Sequence, residues 1–309
     1  MVLGSFFFKH RAKLVLKGYW QNALVVTFFT SIFLTVAQVL QSVVTEDING
    51  IVSSLSYALQ SMPEGVTAES VQFTELLELY QRLFAAIGSV PQSTWIALIA
   101  LNLLALVVTP ALMISCNHYF IRLNDGEEIG VMQGLFGRMN LFLRSLWLHV
   151  IMFVKIFLWS LLFVIPGIIA AMRYSMAPYY LAEHPEMKAS EAIRRSKKTM
   201  KHLKMSYFML QLSFIGWNLL VSLIQLLLVD INPIIALVAA QFLSLMVATY
   251  LNASSAVFYC AATRDGGMEK LVHDARNSAR QMGMDDTAFD EAFGDEDSID
   301  DRSDGGDEE

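Results

Sequence analysis

Five long stretches of the chain are almost free of charge: Tyr19 to Val44, Leu83 to Phe120, Ser145 to Met172, Met205 to Val229 and Ile231 to Ala262. A helix rises about 1.5 Å per residue, so roughly 20 apolar residues cross the hydrocarbon of a bilayer, and each stretch is long enough to do so. The third stretch carries one charge, Lys155, and reaches Pro166-Gly167 after about one bilayer thickness. Proline lacks an N–H and crowds the preceding turn, while glycine tolerates positive φ, so the pair is expected to end one helix and reverse the chain. A short return helix from Ile168 to about Glu183 then makes six crossings. The expected fold is all-α: a polytopic membrane bundle of about six transmembrane helices with amphipathic surface helices, occupying residues 1–262.

Polar positions between the runs support that topology. With the N-terminus inside, 19 of the 22 Lys and Arg residues fall on the inner side and only Arg82 falls outside, the asymmetry that sets orientation in membranes. A single crossing by the third run would put the basic segment from Lys188 outside, so the charge count supports the reversal independently. Both termini are expected in the cytoplasm. The basic segment 188–204 reads as an amphipathic helix at the inner leaflet. Its narrow face is Ile193, Ser196, Met200 and Leu203, and its cations are Arg194, Arg195, Lys197, Lys198, Lys201 and Lys204. Phe6 to Lys17 reads as an entry helix on the same surface. In the outside loop 45–92, Phe73, Leu76, Leu77, Tyr80, Leu83, Phe84 and Ile87 fall at helical spacing. That stripe suits either a helix resting on the membrane or bundle, or a docking surface.

Composition sharpens one point. Hydrophobic residues make up 55% of the chain and charged residues 17%, against about 25% charged in soluble domains. The net charge of −7 averages two unlike parts: residues 284–309 carry 13 acids against Arg302, so the remainder is mildly basic. The tail 263–309 is expected to be cytoplasmic, and its acidic part from about 284 has too little to bury to fold alone. The basic residues follow Phe6-Phe7-Phe8 rather than precede them, so no cleaved signal is expected.

Candidate chemistry is sparse. Cys116 and Cys260 lie apart in apolar runs, and His184 lacks an i, i+4 partner, so neither a disulfide nor a metal site is expected. No nucleophile elbow or phosphate-cradling glycine motif is present. No cofactor, nucleic acid or enzymatic activity is expected. Ionisable groups within membrane segments are costly and point to function, which makes Lys155 and Arg173 the candidate intramembrane polar site. Asn102, Gln211, Asn218, Gln225, Gln241 and Asn252 are expected to bond between helices.

The runs Phe157-Leu158-Trp159-Ser160-Leu161-Leu162, Ile165-Pro166-Gly167-Ile168-Ile169, Arg173-Tyr174-Ser175-Met176-Ala177, Glu191-Ala192-Ile193-Arg194-Arg195-Ser196 and Gln211-Leu212-Ser213-Phe214-Ile215-Gly216-Trp217 resemble the bacterial membrane family known as domain of unknown function 975. Leu16-Lys17-Gly18-Tyr19-Trp20 is similar to its entry motif. The resemblance spans about Phe6 to Ala262 and includes Arg173 but not Lys155. It implies a multi-pass protein of the bacterial cytoplasmic membrane, distantly similar to the membrane modules of some glycerophosphodiester phosphodiesterases, and it supplies no catalytic residue. The expected function is a non-enzymatic scaffold or accessory subunit whose partners are anionic membrane lipids or a membrane or cytoplasmic protein. The alternative is a small transporter or channel for a solute or lipid, with Arg173 and Lys155 at a polar cavity.

Overall fold

A computed structural model of the chain describes residues 5–44, 46–60, 71–229, 231–264 and 266–281, with 283, 285 and 287. Every regular element among them is helical. In chain order these are α1 (Ser5–Leu16), α2 (Trp20–Val44), α3 (Glu46–Gln60), α4 (Val71–Ser89), α5 (Gln92–Asn124) and α6 (Val131–Phe136). After a short turn at Met139–Leu141 come α7 (Phe142–Leu162), α8 (Val164–Tyr174), α9 (Ala177–Glu183), α10 (Ala189–Val229), α11 (Pro233–Thr263) and α12 (Gly267–Gln281). Four stretches, Gln92–Asn124, Val131–Leu162, Ala189–Val229 and Ile235–Thr263, are long and apolar enough to cross a membrane. The acidic tail from 288 and the loop residues 61–70 lie outside the described residues.

The chain forms two compact units, residues 31–109 and residues 1–30 with 110–309. In the first, α3 packs on α4. The predicted stripe is helical there, with Leu77, Tyr80, Phe84 and Ile87 exposed. The second unit holds the main core. Burial along its helices is uneven. On α10, Ala192, Ile193, Ser196, Met200, Tyr207, Leu210 and Phe214 are buried, whereas Leu219, Leu223, Leu226 and Leu227 are exposed. On α11 the order reverses: Ile235, Val238 and Phe242 are exposed, and the run from Ala256 to Ala261 is buried. The packed core thus lies at the basic end of both helices, and the apolar surface left bare at the other end is what lipid would cover.

Aromatic rings tie that core together. Tyr259 stacks on Tyr179 at 5.5 Å between centroids and meets Tyr180 edge-on at 5.2 Å, while Phe258 lies 4.9 Å from Phe8 and 5.0 Å from Tyr207. Such pairs add about 0.5–1.5 kcal/mol each beyond area burial. The N-terminal helix is part of that core: α1 inserts Phe7, Phe8, Ala12 and Leu16 into it and packs on α10, α11 and α12. Gly18 joins it to α2 at φ 91°, a conformation that side chains disfavour. The packed unit also continues past residue 262, because α12 buries Leu271, Val272, Ala275 and Ala279.

The reversal in the third apolar run is present, but Pro166-Gly167 is not the turn. The chain breaks at Phe163, whose φ and ψ are −161° and 155°. Pro166 occupies the first turn of α8, where an N–H would lack a partner within the helix in any case. The return comes in two pieces, α8 and α9, divided at Ser175-Met176. The basic segment is likewise not a separate surface helix. It forms the first turns of α10, which runs unbroken for 41 residues.

Candidate functional site

The start of α10 displays the densest charge in the described chain. Ile193, Ser196 and Met200 face inward, where the Ser196 hydroxyl donates to the Arg173 carbonyl at 2.8 Å. The face read from sequence as lying on lipid is therefore taken up by α8 and α9. Arg194, Arg195, Lys197, Lys198 and Lys201 are exposed and Lys204 is half-buried. Arg195 pairs with Glu191 one turn back at 2.8 Å, which leaves the stripe strongly cationic.

An ionic cluster closes the base of the core beside this stripe. Arg264, just past α11, forms a bidentate pair with Asp125 beyond α5 and lies 3.5 Å from Glu183 at the end of α9. The hydrogen bond to Asp125 holds the guanidinium pKa above its ordinary value. Glu183 also accepts the Tyr259 hydroxyl at 2.5 Å. One arginine thus joins three elements that lie far apart in sequence. Arg11 and Asp274 add a second link, α1 to α12, at 3.1 Å.

Cavities open around the cluster. One, of about 450 Å³, is bounded by Tyr180, Glu183, His184, Arg195, Lys198, Thr199, Thr263 and Arg264. A second, about 310 Å³, lies between Asp125, Arg264, Lys270 and Asp274, and a third, about 300 Å³, lies between α1 and the end of α5. Hydroxyls and cations dominate the first, so its chemistry suits an anionic group. Among the described residues no cluster of His, Cys, Asp and Glu has metal-binding geometry.

The candidate intramembrane pair does not converge on any of these spaces. The Lys155 ammonium lies 5.9 Å from the centre of the Tyr174 ring across the α7–α8 hairpin, within cation–π range. Arg173 is exposed in the last turn of α8, where its charge suits the helix dipole. Three of the six amides bond within their own helices rather than between helices. Asn102 and Asn218 donate to carbonyls one turn back in their own helices, and Gln211 donates to the Tyr207 hydroxyl at 2.7 Å. Sequence reading missed the Asp125, Glu183 and Arg264 cluster. The available signal was that Asp125 and Arg264 each sit just beyond an apolar run, at the same end of the bundle.

Residues 161–265, about a third of the chain, match the model of a family described as a protein of unknown function (DUF975). The matched stretch contains the turn at Phe163, Pro166, Gly167, Arg173, the basic turns of α10 and Arg264. No curated protein and no solved structure matches the chain.

Proposed function

We propose that this chain is a non-enzymatic accessory subunit of the bacterial cytoplasmic membrane that presents the basic turns of α10 to an acidic protein partner. The observation that carries the reading is the fate of the helix's apolar face. A basic amphipathic helix anchors to lipid by burying its apolar side in the acyl boundary. Here that side, Ile193, Ser196 and Met200, is occupied by protein, so Arg194, Lys197, Lys198 and Lys201 are held outward on a rigid mount. The adjacent cavity, with Lys198 and Arg195 at its edge, offers an acidic side chain hydroxyls and cations together. The positive-inside bias supports a cytoplasmic location for this side and for both termini. The transporter reading needs a polar cavity at Lys155 or Arg173; the cavities around the Arg264 cluster are lined by other residues and lend it no support. The test is purification in gentle detergent with and without the combined change Lys197→Gln, Lys198→Gln and Lys201→Gln, followed by mass spectrometry. An acidic protein retained by the native chain and lost from the variant supports the reading. Identical retained proteins in both would overturn it.

A further inference from the structure

The hairpin of α7 and α8 turns through an unusual tip. Leu161, Leu162, Phe163, Val164 and Ile165 are each 64–74 % exposed, and no charge occurs between Lys155 and Arg173. Turns that emerge into water are built from Gly, Pro, Asn, Asp and Ser, not from five consecutive large apolar residues. This tip is therefore suited to hydrocarbon.

How deep it reaches follows from length. α8 has 11 residues, so it is about 16 Å long against a hydrocarbon thickness of roughly 30 Å. Its base is fixed by the hydrogen bond from Ser196 to the Arg173 carbonyl. Ser196 sits among the cations of α10, and Lys197, Lys198, Lys201 and Lys204 all follow before the uncharged run starts at Met205. Each such charge in hydrocarbon costs about 2.5–3.5 kcal/mol even on the mildest scale, so this level of α10 lies outside the apolar layer. Whatever its tilt, α8 cannot carry the tip more than about half-way across.

We propose that α7 and α8 form a re-entrant hairpin: it enters the bilayer from the side bearing the basic turns of α10, places its tip among the acyl chains of the nearer leaflet, and returns to the same side. The crossings are then α2, α5, α10 and α11. Because a hairpin that turns back changes no parity, every basic segment stays on the side expected from sequence. The turn is built for an apolar medium. The Phe163 N–H donates to the Trp159 carbonyl at 3.4 Å and the Gly167 N–H to the Phe163 carbonyl at 3.3 Å. Pro166, in the first turn of α8, has no N–H to leave unpaired in lipid. Gly167 brings α8 close against Ser160 of α7, so the two arms enter as one wedge. This inference concerns lipid alone and does not depend on any protein partner.

The test is cysteine accessibility in sealed vesicles. Leu162→Cys reports the tip, Ile231→Cys the turn between α10 and α11, and Lys201→Cys the basic side. All three replace side chains at the surface, and the native Cys116 and Cys260 are buried and remain in place. A membrane-impermeant maleimide added to either side should label position 162 at least about tenfold more slowly than 231 or 201, because the charged reagent is excluded from acyl chains. A permeant fluorophore at 162 should be quenched by doxyl-labelled lipids. Labelling from the Ile231 side would show a full crossing and overturn the proposal. Labelling from the Lys201 side at the rate of 201 itself would place the hairpin in water, and protection without lipid quenching would place it under protein; either result also overturns it.

Discussion

Gly167 lies so close to Ser160 that a Cβ on the glycine would fall 2.1 Å from the serine Oγ and 3.0 Å from its Cα. Seven residues apart and on opposite arms of the turn, the two positions set how tightly α8 folds back on α7. Gly167→Ala should push the arms apart and lower stability by about 1–3 kcal/mol, the usual cost of overpacking. Thermal unfolding in detergent measures it. Adding Ser160→Ala, which removes the nearest atom, should recover part of the loss.

Arg264 holds Asp125 and Glu183 together with geometry that only a guanidinium supplies. Arg264→Met should cost about 1–2 kcal/mol, towards the lower end of the range for stranded charged partners because the arginine is 37 % exposed. Arg264→Lys should rescue little of that loss, since an ammonium cannot make the bidentate pair. Comparing the melting temperatures of the two variants checks the claim.

Ser196 anchors α8 to α10. Its hydroxyl is buried and donates to the Arg173 carbonyl, so Ser196→Ala should cost about 1 kcal/mol. Ser196→Val should cost more, because a larger side chain must fit where the helices touch. Denaturant titration of both variants would show the order.

His10 gives the fold a dependence on pH. Its Nε2 is buried without a partner and its ring stacks on Phe6 at 5.8 Å. Burial, and then the charge of Lys13, hold its pKa below the ordinary 6.5, with Asp274 pulling the other way. The folded chain therefore takes up this proton less readily than the unfolded one. The contribution is intact above pH 6.5 and is lost as pH falls through that value towards the folded pKa. Melting temperatures across that interval should decline less in His10→Gln than in the native chain.

Much of this architecture is legible in the residues. The apolar runs locate α5, α10 and α11, and the reversal follows from charge placement alone. The break lies three residues before Pro166, because proline marks the first turn of the next helix as readily as the break itself, and Phe163 carries no local turn signal. The unbroken α10 was also foreseeable, since neither Pro nor Gly occurs between Ala189 and Ile215. What the inner face of its basic turns touches was not foreseeable. Ile193, Ser196 and Met200 make a narrow stripe that suits lipid and protein equally well, and only the tertiary packing of α8 and α9 decides between them. The Asp125, Glu183 and Arg264 cluster is hidden for the same reason: its members meet only once three helices have packed.

The central claim is that the basic turns of α10 face an acidic partner, and a photo-crosslinking residue in place of Lys198, in intact cells, tests it most directly. The predicted result is a single crosslinked protein with an acidic surface, whose yield falls when Lys197 and Lys201 are changed to Gln. Crosslinks to lipid alone, or only within this chain, would contradict it.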